Sequence, residues 1–145
     1  MKLTAFIKKT MNFCYEDIAQ SVQSLSPEEL SWRPSKDCNS IGFLVWHMGR
    51  ALDGWIQSRV RRVPQIWEGG WAARMNLNES RSYSGFGLTP EELDIFVVPP
   101  IVLLLEYARE VWDSAINYLD SLTDEELYNV KIDHSRLGGQ ISMAT

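Results

Sequence analysis

The stretch from Asn39 to Arg62, NSIGFLVWHMGRALDGWIQSRVRR, decides how this chain folds. Its apolar residues Ile41, Leu44, Val45, Met48, Leu52, Trp55 and Ile56 recur at three- and four-residue steps, the spacing of an amphipathic helix. Asn39 or Ser40 suits its amino end as a cap, and Arg59, Arg61 and Arg62 suit its carboxyl end. His47 falls on the edge of the stripe. On a helix its neighbours there are Ser40, Phe43, Ala51, Gly54 and Ser58, and all but Phe43 are small. Small neighbours leave room for a second helix or a ligand beside the imidazole. His47 is therefore the leading chemical candidate, with a packed helix histidine as the plainer reading.

Outward from this stretch the pattern stays helical. Leu3, Phe6, Ile7, Met11, Cys14, Ile18, Val22 and Leu25 predict a first helix over about residues 3–24, with Cys14 a small buried hydrophobe on its inner face. Ile101, Leu104, Leu105, Ala108, Val111, Trp112, Ala115, Ile116 and Leu119 predict a third long helix beginning near Pro100, with Glu106, Arg109, Glu110 and Asp113 on its solvated side. LSPEEL at 25–30, LTPEEL at 88–93 and LTDEEL at 122–127 each carry a capping box: Ser26 with Glu29, Thr89 with Glu92, Thr123 with Glu126. Each starts a short helical turn. The segment SWRPSKDC at 31–38 is a turn, with Trp32 folded back on the core.

Residues 63–98 mix Gly69, Gly70, Gly85 and Gly87 with Trp67, Trp71, Tyr83 and Phe86. So long a connection tends to be functional or to carry short helices, and 67–75 is one such candidate helix. Its aromatics suit either a lid over a pocket or a loop pinned to the bundle. The candidate pocket is Phe43, Ala51 and Gly54 on the second helix with Trp67, Trp71 and Arg74 on the crossover. After the third capping box, Gly138 and Gly139 punctuate the chain, and 140–145 reads as the first turns of another helix.

Composition limits the function classes. The 145 residues are 45% hydrophobic and carry a net charge of −5, enough apolar material for one domain over 1–145 and no basic face for nucleic acid. Lys2, Lys8 and Lys9 interrupt any signal-like run, and the apolar run at 95–105 contains Pro99 and Pro100. It falls short of the roughly 20 residues that cross a bilayer. Cys14 and Cys38 form no metal-ligand spacing and read as the reduced thiols of a cytoplasmic protein.

Three features together resemble the DinB superfamily: LSPEELSWRP leading into the second helix; Ser40-Ile41-x-x-Leu44-x-x-His47 upon it; and the crossover WEGGWAARM followed by GFGLTPEEL. The crossover is similar to the branch known as DUF664, kin to mycothiol-dependent maleylpyruvate isomerases. The resemblance implies an all-α four-helix bundle with a long Trp/Gly-rich crossover between helices two and three. It also implies a divalent metal (zinc, nickel or iron) on three histidines, one from helix two and an HxxxH pair from helix four. His47 matches the first. His134 lies before the fourth helix, and no HxxxH precedes Thr145, so the resemblance implies a short or truncated fourth helix.

Neutral imidazoles suit such metals, and a three-ligand site leaves a position open for substrate. The implied activity is a metal-dependent transferase or isomerase-like enzyme using a low-molecular-weight thiol on a small-molecule substrate. The alternative is a non-catalytic bundle for binding or dimerisation, since three long helices leave an apolar face for a partner. A homodimer is the expected assembly.

Overall fold

Ser40 caps the central helix as its sequence predicts, its hydroxyl accepting from the Phe43 amide at 3.2 Å. The computed structural model describes residues 2–134 and 139–142, with side chains placed through residue 131. Three long helices form the bundle: α1 (Leu3–Val22), α3 (Ile41–Asp53) continued by a π-helical segment (Gly54–Arg61), and α6 (Ile101–Asp120). Helix α6 packs against both α1 and α3. Short helices fill the connections: α2 (Pro27–Ser31), a 3₁₀ turn (Ile66–Gly69), α4 (Trp71–Met75), α5 (Pro90–Ile95) and α7 (Asp124–Asn129).

All three predicted capping boxes form with both of their reciprocal bonds, opening α2, α5 and α7. The third does more. Asp124 accepts from the Leu3 amide, the Thr4 amide and the Thr4 hydroxyl at 2.8, 2.9 and 2.9 Å. Lys2 offers α1 no side-chain cap, so a carboxylate from the far end of the chain supplies it. Those bonds, the two amides first, hold the Asp124 carboxyl below its ordinary pKa.

The buried faces of α1 and α3 overlap the predicted stripes only in part: Val22, Val45 and Ile56 are buried, and Met11, Ile18 and Leu52 pack on the core. On α3 the buried residues are Gly42, Phe43, Val45, Trp46, Gly49, Arg50 and Asp53, whereas Ile41, Leu44 and Met48 are 40%, 42% and 38% exposed. Glycines select this face. A methyl on Gly42 would overlap Val98, and one on Gly49 would lie 3.0 Å from the Tyr107 ring. Where no side chain intervenes, neighbouring segments come closest and bury what lies beside them. On α1 the buried residues are Thr4, Tyr15 and Val22, and Cys14 is exposed, not buried as expected. Tyr15 takes the inward position instead, packed on Trp112 and donating to the Leu105 carbonyl.

Three other expectations are corrected. Trp32 is 65% exposed, because Arg33 pins its turn by donating to the Cys38 carbonyl and to Asp94 at 2.7 and 2.6 Å, leaving the indole outside. The helix expected over 67–75 is broken at Gly70, whose φ of +100° ends the 3₁₀ turn and lets α4 restart in a new direction. The helix expected from Gln140 is absent among the described residues. Strand β2 (Gly139–Ser142) pairs antiparallel with β1 (Lys131–His134), Ile132 opposite Ile141 and His134 opposite Gly139. Neither segment offers apolar residues at helical spacing, and strand pairing satisfies their backbone polar groups. Positions 143–145 of that expected helix lie outside the described residues.

The core holds Phe43, Trp46, Trp67, Trp71, Tyr107 and Val111, with Phe96 and Tyr83 packed on it. No helix among the described residues is long and apolar enough to cross a membrane.

Candidate functional site

The site is built around one buried ion pair. Arg50 is 1% exposed and Asp53 is fully buried, one turn apart on α3. A buried charge is tolerated only when paired and hydrogen-bonded, and both are. Asp53 accepts from the amides of Ile66 and Trp67 at 3.0 and 2.9 Å and from the Tyr107 hydroxyl at 2.8 Å. Arg50 donates to Gln65 at 2.8 Å and to the carbonyls of Tyr83 and Arg81 at 3.1 and 3.0 Å. Its guanidinium lies 4.5 Å from the centre of the Trp67 ring. Burial, then the Asp53 carboxylate, push the Tyr107 hydroxyl far above its ordinary pKa and keep it a proton donor. The pair therefore ties two stretches of the crossover, 65–67 and 81–83, to the central helix.

That tie holds the segment 81–86 over the amino half of a cleft. The cavity is about 560 Å³, a volume suited to a small molecule, where ligand pockets run from roughly 300 to 1,000 Å³. Its helical wall is His47, Arg50 and Ala51 of α3 with Gly54, Trp55, Ser58 and Arg59 of the π-helical segment. The crossover supplies Gln65, Arg81, Ser82, Ser84 and Phe86. A π-helical turn is wider than an α-turn and is common at functional sites; here it lies along one cleft wall. None of the described lining residues is acidic.

His47 heads the cleft. Its Nδ1 bonds the Ser84 carbonyl, and its ring stacks on Phe43 with centroids 5.9 Å apart. A carbonyl only accepts, so Nδ1 carries the hydrogen and the neutral ring keeps its lone pair on Nε2. Gly85 makes this contact possible. Its φ is +85°, and a methyl there would lie 2.8 Å from both Phe43 and Trp46 and 3.0 Å from His47 Nδ1.

The sequence-predicted site residues separate into three groups. His47, Ala51 and Gly54 stand together on the cleft wall, with Ser58 beside them. Phe43, Trp67 and Trp71 are core residues, Phe43 lying directly under the imidazole. Arg74 belongs to the seam between α4 and α6, over the Trp71 ring at 3.9 Å and paired with Glu106 at 2.7 Å. Residues missed by sequence reasoning are Arg50, Asp53, Gln65, Arg81 and Ser84. Arg50 and Asp53 carried a signal: two opposite charges three apart inside an otherwise apolar helix.

The metal implied by the sequence resemblance needs three ligands. Nε2 of His47 fits one coordination position, with Nδ1–H held by a carbonyl as metal-bound imidazoles commonly are. Among the described residues no group of three His, Cys, Asp or Glu side chains converges, so they do not assemble the centre. His134 is placed by its backbone only, at the end of β1 opposite Gly139.

With this geometry in view, comparison with known proteins gives the class. Residues 11–144 match the DinB superfamily, and the chain belongs to it. The fold is shared with a solved structure, the conserved protein of locus from Enterococcus faecalis, at a TM-score of 0.83 and 24% identity. The match covers 99% of this chain and 84% of that one. No curated protein matches the chain.

Proposed function

We propose that this DinB-superfamily chain is a small-molecule transferase or isomerase-like enzyme whose reacting group is Nε2 of His47. One observation carries the reading: the Ser84 carbonyl holds Nδ1–H, which leaves the lone pair on Nε2 of a ring that lines a ligand-sized cleft. A single imidazole so held is competent for general acid–base chemistry, which does not require the second and third ligands of a metal centre. With a low-molecular-weight thiol as co-substrate, Nε2 takes the thiol proton, the thiolate adds across a polarised double bond of the electrophile, breaking its π bond, and the imidazolium returns the proton to the adduct.

The test is a fragment screen by NMR that includes small thiols and watches the His47 ring. The reading expects hits that shift the ring resonances and are lost in Gly54→Leu, which fills the wall. Hits clustering elsewhere, with the ring unmoved, overturn it.

A second reading rests on a separate observation. Ile41, Leu44 and Met48 form an exposed apolar row on α3 at 40%, 42% and 38% exposure, a surface suited to a second copy of the chain. Light scattering decides it. A dimer that Leu44→Lys converts to monomer supports this reading, and a monomeric parent removes it.

A further inference from the structure

We propose that the cleft selects small oxyanion-bearing molecules, carboxylates or phosphates, gripped by Arg59, Arg81 and the Ser58 hydroxyl. The proposal rests on the reading of the cleft as a ligand site and adds the ligand's charge. The chain carries −5, yet the described cleft lining holds Arg50, Arg59 and Arg81 and no carboxylate. Arginines on a cleft wall whose described residues carry no carboxylate, set against the net charge of an acidic protein, favour an anion there, and two of the three remain to meet it.

The three are not equivalent. Arg50 is neutralised by Asp53 and spends its hydrogens on the crossover, so it is structural. Arg81 lies 3.3 Å from Glu68 in a half-exposed pair, the kind that adds little stability and yields readily to a better-placed anion. Arg59 makes no ion pair among the described residues. Its guanidinium is laid against the Trp55 ring at 4.4 Å. Stacking of that sort engages a face of the guanidinium and not its N–H edge, the edge that grips a carboxylate or phosphate bidentately.

Ser58 supplies the third donor. Its Oγ accepts from Gln65 Nε2 at 2.9 Å, with Arg81 at 3.5 Å, so its lone pairs are engaged and its own hydrogen is left to give. It stands one turn after Gly54, at the bare part of the wall. An oxyanion at this end of the cleft meets two cations and a hydroxyl, while the rest of the molecule extends toward His47.

The experiment compares benzoate, its uncharged partner benzamide, and inorganic phosphate on the intact chain by calorimetry and by NMR of the His47 ring. Benzoate, phosphate or both are expected to bind, benzoate at least about tenfold tighter than benzamide, and each bound anion to lose about tenfold or more in Arg59→Gln/Arg81→Gln. Tighter binding of phosphate than of benzoate assigns the phosphate class, and the reverse order the carboxylate class. Equal affinity for benzoate and benzamide, unchanged anion affinity in the double variant, or no binding of either anion overturns the proposal. The two readings fail separately. Benzamide matching benzoate while shifting the His47 ring removes the charge selection alone. Anion binding that leaves the ring unmoved removes the role of His47 and keeps the oxyanion grip.

Discussion

Gly85→Ala is the perturbation that reports most sharply on how the site is held. Gly85 sits at φ +85°, where an L-residue with a Cβ is strained by roughly 1–2 kcal/mol. The added methyl also meets Phe43 and Trp46 at 2.8 Å and His47 Nδ1 at 3.0 Å, distances that force ring or backbone displacement. Overpacking of this kind costs about 1–3 kcal/mol. Together the two effects predict a loss of roughly 2–5 kcal/mol, a large share of the ~5–15 kcal/mol that stabilises an ordinary domain. For a chain of this size that corresponds to a fall in Tm of about 4–20 °C. The assay is urea denaturation of parent and variant. Gly54→Ala is the control: its φ is −60° and its nearest neighbour, Gln65 Nε2, lies 3.8 Å away. That variant should gain about 0.5–1 kcal/mol, the ordinary advantage of Ala over Gly in a helix. A Gly85→Ala protein as stable as its parent refutes the close approach of the crossover to the imidazole.

Two further outcomes are expected. Asp53→Ala strands the buried Arg50 guanidinium and removes the acceptor of the Ile66 and Trp67 amides; it should cost about 3–5 kcal/mol by denaturant titration, and a loss below about 1 kcal/mol contradicts the anchoring role. The Asp124 carboxyl, held below its ordinary pKa by the Thr4 and Leu3 amides, contributes stability that is fully present above the usual carboxylate range and is lost as pH falls through its lowered value. Asp124→Asn should therefore be less stable than the parent at neutral pH, with the gap closing in acid; a gap independent of pH refutes the charge-based cap.

Much of the architecture is legible in the residues. Helical spacing placed all three long helices within a few positions, and the three LxxEEL-type boxes opened short helices where their capping chemistry lies. The small residues beside His47 marked one cleft wall, because side-chain size along a helix edge is local information. The other wall was not legible. Which face of α3 turns inward depends on Val98 and Tyr107 approaching Gly42 and Gly49, contacts between residues about 60 positions apart. An apolar count weighed Ile41, Leu44 and Met48 above Gly42 and Gly49, so the stripe was read rotated: Val45 and Ile56 of it are buried, whereas those three are exposed. Arg50 and Asp53 drew no attention in that reading, although burial and five partners on the crossover make them the anchor of the site. The hairpin after α7 escaped for a related reason: pairing between Lys131–His134 and Gly139–Ser142 leaves no periodic signature in so few residues.

The central claim is that the neutral ring of His47, a residue of the cleft wall, keeps its hydrogen on Nδ1 and its lone pair on Nε2. The ¹⁵N chemical shifts of the two ring nitrogens, recorded with the imidazole neutral, measure this directly. A protonated, pyrrole-type Nδ1 with a pyridine-type Nε2 is the predicted result; a hydrogen found on Nε2 contradicts it.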